Sequence, residues 1–387
     1  MRETIFTTGS ILHILLGQLN FEFIDWKKLW SSAKYVSVGN SFYDQTELIV
    51  NQENLGLPYQ MPLMVYFLSI FAVYNSQRMA RFSMSLGIIA SGFLIKNIVS
   101  EEYGTRAAFI FFFNPLLIYI SYQGYFESVV LFFTLFSAYS LHKGRNIFGG
   151  ISIGVAVLLK IYAVILVVIF AGIFLRHKKT QPFNRFLLGV LTILGPIGGY
   201  FLIFYRDQFL LKSLGYHLSR EEVTLSVFSV FFRFVRETQS RNFVVYAMFL
   251  LVLGLIIVSS DIDSNIIWYK SSLSSISSFL ILNPIILPHY LVWHIIFAIP
   301  LISLNSDLSN WKNRPLSYLG LYMIIFAYSI NNYFWGKYGF KKENTALGLL
   351  TLRITSLISL MLTTLLFVNS IQKFDSSDRR SDSFIRI

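Results

Sequence analysis

Apolar stretches of roughly 18 to 25 residues recur from one end of the chain to the other, each long enough to cross about 30 Å of hydrocarbon as a helix. The runs are continuous and do not alternate, so short barrel strands are excluded and a helical bundle follows. Phe (38) and Tyr (22) are abundant while only 13% of the 387 residues are charged, a balance foreign to a water-soluble domain. The pattern predicts an all-α polytopic membrane protein with spans near 4–23, 60–75, 82–99, 107–121, 126–141, 147–174, 186–205, 243–260, 273–287, 290–305, 315–331 and 346–369. Ile5 to Phe21 follows Arg2 as a signal peptide would, but Gly17, Gln18 and Asn20 lead into no small-residue cleavage site, so a retained first helix is expected.

Two segments depart from simple crossings. Ile147 to Phe174 carries Lys160 and Tyr162 at its centre, and the basic turns on either side both favour the inner face. A hairpin with Lys160 near its outer turn satisfies both, provided the break is buried or lines a cavity. Ser271 to Leu287 is interrupted by Asn283-Pro284.

The formal charge of +12 does not form a nucleic-acid tract. Arg78 and Arg81, then His142, Lys143 and Arg145, then Arg176, His177, Lys178, Lys179 and Arg185 fall between spans. They read as inside-facing charge near anionic headgroups. With no cysteine, disulfides and cysteine nucleophiles or metal sites are excluded.

The domain organisation is a single transmembrane unit over 1–369 with a polar tail at 370–387. Its first loop, 24–60, is placed outside by the basic turn at 78–81. The apolar spacing of Trp26, Leu29, Trp30 and Ala33 predicts an amphipathic surface helix there, with its rings at headgroup level. A second outer loop covers 206–225; the order of spans puts 332–345 outside as well, although its lysines favour the inner face.

Asp25 stands where the first span meets that loop. It can act as a general base over a bundle cavity, or simply cap a helix. Asp44 and Glu47 read more simply as capping or solvated groups. Lys160 needs an anion, either a protein carboxylate or a bound phosphate, unless it snorkels to the interface. His217 and Arg220 are spaced to grip phosphate oxygens, although such a string also suits an ordinary loop. His289 and His294 suit substrate hydroxyls or satisfied bundle interiors, and their spacing makes no metal site. Glu127 opens an apolar helix, favourable at a helix N-terminus, with cavity lining as the second role. One acid and several cations on the outer side suit a phosphate-bearing donor. No phosphate-cradling glycine loop accompanies them, so a lipid-phosphate sugar fits better than a nucleotide sugar.

Several blocks in order resemble the GT-C superfamily of membrane glycosyltransferases, in the group of glycosylphosphatidylinositol first-mannose transferases and prokaryotic polyprenyl-phosphate mannosyltransferases. Asp25-Trp26 followed by Gly39-Asn40-Ser41-Phe42-Tyr43 is similar to the family's first-loop pattern, with Phe42 where proline is usual. Leu57-Pro58-Tyr59-Gln60-Met61-Pro62-Leu63 resembles the lead-in to its second span. Phe113-Asn114-Pro115-Leu116 through Ser121-Tyr122-Gln123-Gly124-Tyr125-Phe126-Glu127-Ser128 resembles the F-N-P-L…S-x-R-G-N-x-D-S block, with Gln123, Tyr125 and Glu127 as departures. Gly149-Gly150 to Lys160-Ile161-Tyr162-Ala163, Tyr216-His217-Leu218-Ser219-Arg220, and Pro288-His289-Tyr290-Leu291-Val292-Trp293-His294 resemble three further blocks.

The resemblance implies a GT-C bundle of about 10–13 transmembrane or half-membrane helices with a long first extracytoplasmic loop. It implies inverting transfer of a hexose, mannose by likeness, from a dolichyl- or polyprenyl-phosphate donor to a glycolipid or glycan hydroxyl. Asp25 would be the base; Lys160, His217 and Arg220 would receive the donor phosphate. Tyr43, Asp44, Tyr59, Gln123, Glu127, Tyr162, Tyr216, His289, Trp293 and His294 would contact substrate. No cofactor is obligatory, with room for an assisting divalent ion. The partners implied are membrane lipids and the two substrates, with room for a small membrane partner subunit. The site would face the endoplasmic reticulum lumen in a eukaryote and the outside of the cell membrane in a prokaryote. A lipid-linked sugar flippase and a noncatalytic partner subunit are the alternatives.

Overall fold

The computed structural model describes residues 2–19, 24–40, 61–99, 101–206, 209, 223–224, 238–262, 264, 266–282, 285–286 and 292–304. Apart from one two-residue parallel pairing, Val223–Thr224 with Ile285–Ile286, every described element is a helix. Gln77–Ile98 and Thr180–Phe204 are long and apolar enough to cross a membrane, and shorter apolar helices accompany them. The protein is a membrane-associated helical one.

Helix α1 (Arg2–Gly17) runs antiparallel to α4 (Gln77–Ile98): Phe6 stacks on Phe93 at 5.2 Å, while Arg81 reaches the carbonyl of Gly17 at the other end. Between them in sequence lie α2 (Ile24–Ser37) and α3 (Pro62–Val73). These two pack along each other, and α2 begins where α3 gives way to α4, so they form an antiparallel pair at one end of the bundle. The expected span at 60–75 is a 12-residue helix, about 18 Å long, that returns to the end from which α2 departs. The helix expected in the first loop is present, but Trp26, Leu29, Trp30 and Ala33 are buried in the protein core and not spread at headgroup level.

The expected single span at 107–121 is two helices, α5 (Glu101–Phe112) and α6 (Pro115–Gln123). Asn114 breaks them: its side chain accepts the Leu116 N–H at 2.9 Å while Pro115 occupies the first helical position, where no N–H is needed. His13 fills the gap, bonding the freed Phe112 carbonyl at 2.9 Å and the Ser121 hydroxyl at 2.7 Å. Since a carbonyl only accepts, Nε2 carries the proton and Nδ1 accepts from Ser121.

Helix α7 (Glu127–His142) leads through a tight turn to α8 (Asn146–Leu159), a short 3₁₀ turn (Ile161–Ala163) and α9 (Val164–Arg176). The expected hairpin at 147–174 is present, with extended Lys160 (φ −154°, ψ 116°) at its turn. Helix α10 (Thr180–Ile193) continues through a π turn into α11 (Gly199–Phe204). It lies against α8 at backbone distance. A Cβ on Gly150 would stand 2.0 Å from the Phe186 carbonyl, and one on Gly189 would stand 2.2 Å from that of Ile147. Helix α12 (Thr238–Ser259), the serine-rich α13 (Ile267–Leu282) and α14 (Val292–Leu304) complete the described bundle. Helix α13 starts earlier than its expected limit and runs unbroken to Leu282; Asn283-Pro284 lies outside the described residues.

The ends of α7, α9 and α12 converge with the start of α13. Arg176 donates to the Ser260 carbonyl at 2.8 Å, His177 bonds the same oxygen at 2.8 Å, and the His142 ring lies 5.8 Å from that of Tyr269. The two basic turns at 142–145 and 176–179 thus share one end. Arg78 and Arg81 do not join them. They lie at the end that holds Gly17 and α2, which removes the charge argument for placing the first loop opposite to them.

Candidate functional site

The charges expected to do chemistry meet where α7 begins and α8 ends. Helix α8 stops at Lys160 because the backbone turns extended there, and this sends the side chain toward the first turn of α7. Lys160 Nζ is ion-paired with Glu127 Oε1, and their side chains are 16% and 4% exposed. The anion required by an ammonium in apolar surroundings is thus a protein carboxylate, and Lys160 does not snorkel away. Ser128, next to Glu127, packs on Gly87 halfway along α4, so the pair lies well inside the bundle.

Two residues beyond Lys160, the Tyr162 ring lies 5.0 Å from Phe279 of α13. Tyr162, Ile165, Ile276, Phe279, Leu280 and Trp293 line an apolar cleft between α9, α13 and the start of α14. Lys160–Glu127 therefore adjoins an apolar cleft through Tyr162. His294 is buried beside Trp293, and its Nε2 has no hydrogen-bond partner among the described residues.

Asp25 lies in the first turn of α2. That turn is fixed by its neighbour Trp26, whose indole N–H donates to Gln77 Oε1 at 2.7 Å and whose ring stacks on Trp30 at 5.8 Å. The Arg81 guanidinium stands 5.0 Å over the Trp26 ring. Only 1% exposed, Arg81 also donates to the carbonyls of Gly17 (2.8 Å), Tyr122 (2.7 Å) and Gln123 (3.3 Å). Hydrogen bonds to a charged group contribute roughly 1.5–3 kcal/mol each. Gly124, which ends α6 at φ +68°, leaves room for this: a Cβ there would fall 2.4 Å from Arg81 Cζ.

Among the expected site residues the structure joins Lys160 to Glu127 and brings Tyr162 and Trp293 to one cleft. Gln123 enters through its carbonyl, on Arg81. Tyr43, Asp44, Tyr59, Tyr216, His217, Arg220 and His289 lie outside the described residues. Sequence reading missed His13, Gln77 and Arg81 as organisers. The four-residue interval from Gln77 to Arg81, one face of a helix at its first turn, was the signal available.

No protein-family model matches the chain. GPI mannosyltransferase 1 of Kluyveromyces lactis is 30% identical to it over 120 residues, covering 30% of each protein. GPI mannosyltransferase 1 of Saccharomyces cerevisiae is 24% identical over 300 residues, covering 71% of this chain and 70% of the yeast protein. The homology is distant and partial. It supports a glycosyltransferase-type function in general terms, on a helical membrane-associated scaffold.

Proposed function

We propose that the chain is a polytopic, inverting glycosyltransferase of the GT-C type. It moves a hexose, mannose by likeness, from a dolichyl- or polyprenyl-phosphate donor to a lipid-linked or glycan hydroxyl. The observation that carries this reading is the similarity to the Saccharomyces enzyme across 300 residues. The ammonium of Lys160 inside the bundle supports it, since a departing lipid phosphate needs an interior cation and would compete with Glu127 for this one.

In this reading Asp25 takes the acceptor's proton as its oxygen attacks the anomeric carbon. The C–O bond to the donor phosphate breaks with inversion, and lipid phosphate departs toward Lys160, with His217 and Arg220 completing the cation set. Phosphate is a good leaving group without a general acid, and no obligatory cofactor enters. Tyr43, Asp44, Tyr59, Gln123, Glu127, Tyr162, Tyr216, His289, Trp293 and His294 form the substrate surround. The active face is extracytoplasmic or luminal.

The test is purified protein with polyprenyl-phosphate radiolabelled mannose and candidate glycolipid acceptors. Transfer by the wild type, abolished in Asp25→Asn with donor binding retained, is the expected result; transfer unchanged in that variant removes Asp25 from the mechanism. One observation favours a second reading, a flippase for lipid-linked sugars: the Lys160–Glu127 pair stands at the level of mid-α4. Scrambling of labelled donor across proteoliposomes without glycosyl transfer would select it.

A further inference from the structure

Resting on that reading, we propose that Arg81 is the positioning residue of the reaction, holding the helix turn of Asp25 in register with the segment that leads to Glu127 and Lys160. Base and phosphate cation lie on different parts of the chain: Asp25 on the first turn of α2, Lys160 at the break after α8. Transfer requires a fixed spacing between them, because misplacement by about 1 Å can cost on the order of a hundredfold in rate. A device that sets that spacing must touch both sides.

Arg81 does so. Its Nε donates to Gly17, the last residue of α1, while Nη1 and Nη2 donate to Gln123 and Tyr122 at the end of α6. Cζ of the same guanidinium lies 5.0 Å from the centre of the Trp26 ring, and Trp26 is further tied to α4 through Gln77 at 2.7 Å. From Gln123 the chain makes one left-handed turn at Gly124 and enters α7 at Glu127, which pairs with Lys160. A single rigid planar cation therefore joins the end of α1, the base-bearing turn and the strand of contacts that ends at Lys160. A lysine offers no planar fork and cannot replace it. This goes beyond capping: the three carbonyls would be served by any donor, whereas the ring contact and the Gln77 bond bear only on the turn of Asp25.

The test separates positioning from folding. Arg81→Ala risks the fold, so the informative variants are Gln77→Leu and Trp26→Phe, which leave the carbonyl bonds of Arg81 intact. Each is expected to stay folded in detergent with a modestly lowered melting temperature and a donor KM within about twofold, while kcat for mannosyl transfer falls about tenfold or more. The double variant should be no slower than the slower single one, because both remove the same bond. Wild-type kcat in both variants, or a loss confined to KM or to melting temperature, overturns the proposal. Asp25→Asn measured alongside keeps the two ideas apart. If it is inactive while Gln77→Leu and Trp26→Phe turn over normally, the positioning role alone fails. If it still transfers sugar, the assignment of the base fails first.

Discussion

At the scale of single residues, the ion pair between Lys160 and Glu127 sets the strongest expectation. Removing one partner of a buried pair leaves the other charge uncompensated, whereas replacing both with apolar groups can be nearly neutral. Glu127→Ala should lower stability by roughly 3 kcal/mol, and Lys160→Met combined with Glu127→Leu should recover most of it, read by thermal unfolding in detergent micelles. Lys160→Met alone should also raise the donor KM in the transfer assay if the ammonium receives lipid phosphate. Gly124→Ala carries a different penalty, because the backbone there is left-handed and the added methyl meets Arg81. About 2 kcal/mol of destabilisation is expected, from the same unfolding measurement. The need of Lys160 for an anion was legible from its apolar neighbours. That the anion would be Glu127 was not, since 33 residues separate the two and only the packing of α7 on α8 brings them together.

At the scale of elements, breaks in helices carry more information than their lengths. The hairpin around Lys160 could be read from sequence because basic turns flank two half-length apolar pieces that one crossing cannot reconcile. The break at Asn114-Pro115 gave the same kind of warning, a side-chain cap followed by a residue without an N–H, yet the hydrophobic run continues across it and hides it. Asn114→Ala should cost about 1 kcal/mol in thermal stability, the usual value for losing such a cap. Helix α3 hid a partner in a related way. Apolar composition tells that a helix is buried, not whether lipid or another helix buries it: α2 packs on one face of α3, while Ile70 and Val73 stay exposed. Arg81 was misread, because counting positive charge cannot distinguish a headgroup contact from a guanidinium spent on carbonyls.

At the scale of the whole molecule, the two ends of the bundle differ in kind. One gathers the basic turns at 142–145 and 176–179; the other holds Gly17, the start of α2 and Arg81. The chain contains no cysteine, so single cysteines report without interference. Lys27→Cys and Lys178→Cys, both exposed positions at opposite ends, should react with a membrane-impermeant maleimide from opposite sides of sealed vesicles. Labelling from one side for both would refute the proposed polytopic arrangement.

The glycine contact between α8 and α10 has a mechanical consequence. With carbonyl groups seated where side chains would otherwise stand, those two rods cannot slide past each other and behave as one strut. A wall braced in this way offers no doorway along that seam, so any gate for the proposed lipid-phosphate donor must open elsewhere. A covalent staple across the strut should accordingly leave turnover unchanged, and a drop in turnover would show that the seam moves.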